Sequence, residues 1–311
     1  MTAPARATAF APASTSNLAV GFDILGHPVG PMGDRVTVVR VEEPGVRVAG
    51  ASGSLPTDPA LNTATVGVLR MLEELRPGFG VEVHVHKGIP LGSGVGGSAA
   101  SAVAGVVAAN ALLPEPLPRG ELFRYALLGE AVASGAVHGD NVAPSLFGGL
   151  VLVRSAEPAD VVALPVPPSL RCAMALPRMR LDTRTARAVL PASYPLHTVI
   201  EQTANLAGVM AGLCTGDLAL VARSMRDVLV EPHRAPLIPG FAAVRAAAMA
   251  AGALGCSISG GGPALVAWCD GDDAAEAVRA AMVDGFARHG LPAEGWTCPV
   301  NGPGARVEEL S

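Results

Sequence analysis

The sequence predicts a chain of mixed class, α/β or α+β, divided into two domains. Three observations carry that reading. Segments with the two-residue period of a strand alternate with segments of helical period in both halves. A proline-rich stretch, Ala163 to Leu170 with Pro165, Pro167 and Pro168, breaks the chain near its middle and divides it into residues 1–165 and 166–311. A loop with four glycines among the six residues Gly92 to Gly97 stands between a strand and a helix.

The first strand is expected at Arg35 to Val41, after the glycine-rich turn Gly30 to Gly33. Asn62 to Leu75 spaces Val66, Leu69 and Leu72 as a helix does and is closed by Pro77-Gly78. Val81 to Lys87 alternates Val81, Val83 and Val85 with Glu82, His84 and His86, the pattern of a half-buried strand. A helix then starts at Ser98, a second runs from Glu121 to Ala133, and a strand follows at Gly149 to Arg154. Beyond the hinge come a strand at Arg171 to Leu176 and helices at 183–190, 196–213, 217–228 and 242–251. A strand at Ala264 to Cys269, a helix at Asp272 to Gly285 and a strand near Trp296 to Val300 complete the order. There is no internal repeat.

Composition excludes several classes. Hydrophobic residues at 50% against 16% charged exclude a disordered chain, because apolar burial can offset the entropy of ordering. Aromatics are 4%, so the core must be built from Ala, Val and Leu. With 22 Lys and Arg against 27 Asp and Glu, the surface offers no general attraction for nucleic acid or anionic membrane. The mean hydropathy of +0.41 raises the question of a membrane span. Gly88 to Pro114 and Ala246 to Cys269 carry no charge, yet both are crowded with glycine and broken by Pro90 and Pro263. Ala99 to Leu113 reads instead as a buried core helix, and no membrane span or secretory segment is expected. The cysteines at 172, 214, 256, 269 and 298 form neither a C-x-x-C nor a zinc pattern and read as reduced thiols of a cytoplasmic protein.

Pro90 to Ser101 reads PLGSGVGGSAAS. Glycines let several backbone N–H groups converge on one concavity, and the following helix adds its free N–H groups and the positive end of its dipole. The result is an anion cradle suited to a polyphosphate; the bland alternative is tight packing against a small-residue helix. A Walker loop would need Lys where Ser98 stands. A dinucleotide fingerprint fits Gly92, Gly94 and Gly97, but Lys87 to Leu91 separate the strand from the first glycine, where that turn should be immediate.

The same loop resembles the signature P-x-x-x-G-L-G-S-S-A of the GHMP kinases. FAPASTSNLAVGFDILG at 10–26 and ISGGGPALVA at 258–267 resemble that family's N-terminal and C-terminal motifs. HGDNVAP at 138–144, TRTARAVLP at 183–191 and EPHRAPLIPGF at 231–241 resemble, in order and spacing, its homoserine kinase branch, over about residues 8 to 308. The resemblance implies an α+β fold: an N-terminal domain (1–165) like ribosomal protein S5 domain 2, with a left-handed crossover, and a ferredoxin-like C-terminal domain (166–311). The active site is expected between them. It further implies ATP with Mg²⁺, L-homoserine as phosphoryl acceptor, a place in threonine biosynthesis, and a homodimer.

By this resemblance the nucleotide lies against Asn62, Thr63, Pro90, Leu91, Gly92, Ser93, Gly94, Val95, Gly96, Gly97, Ser98, Ala99 and Ala100. Ser98 and Glu130 are the expected Mg²⁺ ligands, a hydroxyl and a carboxylate being enough for an ion that keeps water and phosphate in its shell. Read alone, Ser98 is a helix cap, Glu130 a solvated helix charge, and Asn62 with Thr63 another cap. Homoserine is a zwitterion with a primary hydroxyl. Arg187 and Arg234 suit its carboxylate and Asp23 its ammonium. Asn17, Asn141, Thr183, His138 and Gly260 lie on the matching motifs, although Thr183 is equally a candidate helix cap and a lone arginine is usually a surface charge. HGDNVAP is where a group near the reacting hydroxyl is expected, with His138, Asp140 and Asn141 as candidates and Asp140 open to a structural role. Gly97, Val95, Gly261 and Ala264 depart from the family pattern, Val95 replacing a leucine and the other three removing hydroxyls that could bond phosphate. Two other readings therefore stand beside the first: a GHMP kinase for another alcohol, and a non-catalytic nucleotide-binding paralogue.

Overall fold

A computed structural model of the chain describes residues 4–51, 55–135 and 137–311. The chain opens with two long strands, β1 (Arg6–Asn17) and β2 (Gly21–Val41), paired antiparallel. β3 (Val46–Ala51), α1 (Thr63–Leu75) and β4 (Gly80–His86) form a parallel strand–helix–strand unit, with β4 laid antiparallel on β2. Three helices follow: α2 (Gly97–Ala111), α3 (Arg119–Ser134) and α4 (Gly139–Phe147). The hairpin β5 (Val151–Ser155) and β6 (Asp160–Ala163) joins the same sheet through β2.

α2 packs against β1 and β2 on one side and against α1, α3 and α4 on the others. Every residue from Ala99 to Ala109 is buried, which is why the helix carries no charge on any face. The hydropathy of this segment is thus a core property. Among the described residues no helix is long and apolar enough to cross a membrane.

Past residues 164–169 the second half begins with β7 (Leu170–Pro177), α5 (Thr183–Ala188), α6 (Leu196–Thr215), α7 (Leu218–Ser224), α8 (Glu231–Arg234) and α9 (Phe241–Ala250). β8 (Gly255–Ile258), β9 (Leu265–Asp270), α10 (Asp272–Arg288) and β10 (Ala293–Pro299) follow. The strands line up antiparallel as β10-β7-β9-β8, the order of a ferredoxin-like sheet. The last strand, β11 (Arg306–Leu310), leaves this sheet and pairs with β1 in the first.

The second sheet is buried on both faces. On β7, Cys172 and Met174 join the core shared with the first sheet, while Ala173 and Ala175 join the core beneath α9 and α10. This is the strand period of two put to use on both sides. Two tryptophans tie the sheets together: Trp268 Nε1–H donates to His27 Nε2 at 3.1 Å, and Trp296 Nε1–H to the Val29 carbonyl at 3.1 Å.

The class is α+β, as expected, but the first half holds more strand than its periodicity announces. β2 begins at Gly21 rather than Arg35, and β1 precedes it. The proposed helix 217–228 stops at Ser224, after which Asp227 turns the chain by accepting the N–H groups of Leu229, Val230 and Glu231.

Candidate active site

A cleft of about 500 Å³ lies between the start of α2, the turn from β1 to β2, the α3–α4 corner, α5, and the Gly260–Gly262 loop before β9. The glycine loop forms one wall. Gly92, Gly94 and Gly96 hold φ of +66°, +76° and +67°, the left-handed region that side chains resist. A Cβ on Gly94 would stand 2.5 Å from the Gly262 carbonyl, so the two glycine-rich loops need glycine to meet. Gly96 occupies the cap position of α2, so Ser98 is not the cap; it lies inside the first turn. Its hydroxyl donates to Glu130 Oε2 at 2.6 Å.

Glu130 is buried, not a solvated helix charge. Burial pushes its carboxyl up to about 7, against the Ser98 hydrogen bond, with Asp140 raising it and Lys87 lowering it. A hydroxyl beside a carboxylate that burial holds short of full ionisation is a donor set suited to a hard cation, which would favour the ionised form.

The opposite wall is cationic. Arg234, buried, donates to the Ala186 and Gly260 carbonyls, each at 2.9 Å. Arg187 Nη2 reaches both oxygens of Asp23 at 2.8 and 2.9 Å, and its buried Nε has no partner. Phe22 faces both guanidinium groups, at 5.2 Å from Arg187 and 5.1 Å from Arg234. His138 Nδ1 lies 3.8 Å from Asp23 Oδ2; burial lowers its pKa while Asp23 pulls it up. Asp140, at the start of α4, is pushed up to about 6, mainly by burial and then by Asp23. Its Oδ1 has no hydrogen-bond partner.

The turn that presents Asp23 is built from non-glycine residues in left-handed conformation, Asn17, Leu18 and Ala19 at φ 71°, 47° and 62°, and Asp23 itself at 63°. Asn17 holds it: Nδ2 donates to the Gly260 carbonyl at 2.8 Å, and Oδ1 accepts the Asp23 N–H at 3.1 Å. Asn141 is clamped at both ends of its amide, donating to Ser16 Oγ at 2.8 Å and accepting from Ser14 Oγ at 3.0 Å.

Of the residues the sequence singles out, Asn17, Asp23, Thr63, Pro90, Leu91, Gly92, Ser93, Gly94, Gly96, Gly97, Ser98, Glu130, His138, Asp140, Asn141, Thr183, Arg187, Arg234 and Gly260 line this cleft. Val95, Ala99 and Ala100 are buried behind it. Asn62 does not reach it. That residue caps α1, its Oδ1 accepting the Ala64 N–H at 3.0 Å and its Nδ2 donating to the Pro56 carbonyl at 2.7 Å. Thr183 opens α5 behind the cap position, which is Asp182. At Gly97 a Cβ would stand 3.1 Å from Ile89 Cγ2, and at Gly261 3.5 Å from Ala186 Cβ, so these departures change hydroxyls more than shape. Sequence reading passed over Ser14, Ser16, Phe22, Lys87 and Arg180.

Comparison with known proteins gives the following. The family model for the GHMP kinases N terminal domain matches residues 62–149, and that for GHMP kinases C terminal matches residues 209–288. A homoserine kinase of Xylella fastidiosa (strain 9a5c) is 50% identical over 98% of this chain and 96% of its own. One of Xanthomonas campestris pv. campestris (strain B100) is 47% identical over 97% and 94%. The crystal structure of homoserine kinase from Cytophaga hutchinsonii superposes with a TM-score of 0.95 at 42% identity, covering 99% of this chain and 98% of that one.

Proposed function

We infer the reaction from the premise that this chain belongs to the homoserine kinases of the GHMP kinase family: it transfers the γ-phosphoryl group of ATP to the side-chain hydroxyl of L-homoserine, giving O-phospho-L-homoserine for threonine biosynthesis. The observation that carries the substrate is the Asp23–Arg187 ion pair facing the glycine loop. A cation and an anion paired with each other in the free cleft are complementary to a zwitterion. The ammonium takes Asp23, the carboxylate takes Arg187 and Arg234, and the hydroxyl is left directed at the phosphates. An isoprenoid alcohol would leave both charges unmatched.

The glycine loop and the α2 N-terminus hold the triphosphate. Ser98 and Glu130 would hold Mg²⁺, which neutralises phosphate charge during transfer. Among the described residues no cluster of three or more His, Cys, Asp or Glu is arranged for a metal, and a Mg²⁺ shared with nucleotide needs none. Asn141, its amide fixed by Ser14 and Ser16, orients the hydroxyl and cannot take its proton. We propose that positioning and charge stabilisation dominate and that no side chain acts as an essential strong base, since a loose transition state lets the proton leave late. Against this stand His138, whose buried Nε2 has no partner, and foremost Asp140, its pKa raised and Oδ1 unpartnered. Its test is the turnover of Asp140→Asn under saturating substrates, where loss of a base costs about a hundredfold or more. A cytoplasmic site of action, supported by the cysteine pattern, and a homodimer, supported by the family resemblance, belong to the same proposal.

The experiment for the reaction is ADP release with a panel of primary alcohols. Homoserine-dependent ADP release exceeding that with other alcohols is expected. Turnover of another alcohol instead would place the chain among kinases of different specificity, and ATP binding without turnover of any would make it a non-catalytic paralogue.

A further inference from the structure

The chain has 22 basic residues besides histidine, and Lys87 is the single lysine among them. It ends the segment leaving β4 and lines the cleft beside Gly97 and Ser98, with its side chain 11% exposed. The ammonium is paired with Asp34 and donates to the Gly97 carbonyl at 2.7 Å and to Ser101 Oγ at 3.1 Å.

Asp34, fully buried on β2, touches both ends of the glycine loop. Its Oδ1 accepts the N–H groups of Gly88 and Ile89 at 3.0 and 3.1 Å, where the loop begins. Its Oδ2 accepts from the Ser101 hydroxyl at 2.6 Å, one turn into α2, where the loop has ended. An ion pair this deep gains little net stability over apolar residues of the same volume, so stability alone does not account for it. The geometry does offer a use. The Gly97 carbonyl turns toward Lys87, and across the planar trans peptide the Ser98 N–H points the other way, toward the mouth of the α2 N-terminus. A compact ammonium, unlike a guanidinium fork, can serve three acceptors at one point.

We propose that Lys87 supplies a fixed positive charge to the nucleotide phosphates from beneath the loop, and that Asp34 is the positioning residue that holds this charge and both loop ends in register. The proposal rests on the reading that the loop binds the phosphates of ATP. Helix N–H groups give only partial charge there; Lys87 adds the positive end of an ion pair, since its ammonium lines the cleft and the Asp34 carboxylate does not.

The solitary lysine makes the test direct. In wild-type protein grown with ¹³C-lysine, one Cε resonance reports Lys87. It is expected to shift on addition of ADP or ATP and to stay in place with adenosine. No shift with a nucleotide shown by calorimetry to bind overturns the proposal. Failure of the wild type to bind ATP at all would overturn the functional reading instead. A variant pair separates charge from clamp. Lys87→Ala would strand a buried carboxylate, so Asp34→Asn is compared with the double variant Asp34→Asn, Lys87→Met. The double variant is expected to bind ADP and ATP tenfold or more weakly than the single one, the scale of a charge-assisted contact, with equal affinity for adenosine. Equal affinities for all three ligands would leave Asp34 a clamp and remove Lys87 from phosphate binding.

Discussion

Glu130→Gln should make the protein more stable and less active, and the two effects separate by pH. The carboxyl ionises near 4.5 when unfolded and near 7 when folded. At about 1.4 kcal/mol per pH unit, that difference is worth about 3 kcal/mol. The folded state holds the proton more tightly, so nothing is lost below pH 4.5, where both states are protonated. Stability then falls as pH rises from 4.5 to 7, and above 7 the whole amount is gone. A glutamine keeps an acceptor for the Ser98 hydroxyl and never ionises. Urea denaturation in EDTA at pH 5 and pH 8 should therefore show a variant advantage that is small at pH 5 and approaches about 3 kcal/mol at pH 8. Asp140 titrates in the same direction, up to about 6, so the quantity to read is variant minus wild type. Mg²⁺ added on top of saturating ADP should restore wild-type stability and leave the variant nearly unmoved, while its turnover falls at low Mg²⁺. An advantage equal at both pH values would mean that Glu130 does not carry this burial cost. An undiminished Mg²⁺ response would remove it from the metal site.

Three further outcomes are expected. Arg187→Ala and Arg234→Ala should each raise the homoserine KM roughly tenfold to a hundredfold with little change in the ATP KM, measured by steady-state kinetics. Gly94→Ala must hold a side chain at φ +76° and 2.5 Å from the Gly262 carbonyl; its ATP affinity should fall at least tenfold by calorimetry and its Tm should drop, because backbone strain alone costs roughly 1–3 kcal/mol before the clash is counted. His27 is held neutral by burial, with its pKa lowered from 6.5 to about 4, so stability is full above pH 6.5 and is lost as pH falls toward 4. His27→Leu should remove that acid loss and cost about 1–3 kcal/mol at pH 7 by stranding the Trp268 N–H, read from denaturation at both pH values.

Periodicity reveals elements with one wet face. β4 alternates buried and exposed positions, and α1 carries an apolar stripe; both stand within a residue of their expected limits. β1 is buried at every position after Arg6, so Ala, Ser and Thr on both faces hide the alternation that would have announced it. α4 contains Gly139 and Pro144, which local propensity reads as breaks; packing against β1, β2 and α2 makes it a helix nonetheless. β11 is exposed throughout and finds its partner some 300 residues away, at β1. At the site, glycines and motif arginines are visible because their chemistry is unusual in sequence. Ser14, Ser16 and Asp34 act through tertiary hydrogen bonds and carry no spacing signal. The left-handed run Asn17 to Ala19 is nearly silent for a related reason: Asn17 tolerates such backbone, but Leu18 and Ala19 are not residues that mark it.

Because β11 returns to β1, the chain crosses between the two sheets twice, at 164–169 and again at 300–305. A body held to another at one point can swing and twist freely; held at two, it keeps mainly the rotation about the line through both. Together with the shared core and the two tryptophan hydrogen bonds, the second crossing limits relative movement of the sheets toward one axis and so favours a fixed register between the loops at Gly94 and Gly260. A protease cut at 300–305 would leave the halves covalently joined through 164–169, whereas a cut at 164–169 would leave them held by β11 on β1 and by the shared core. Such a nicked protein should lose the alignment of its walls well before it loses either sheet.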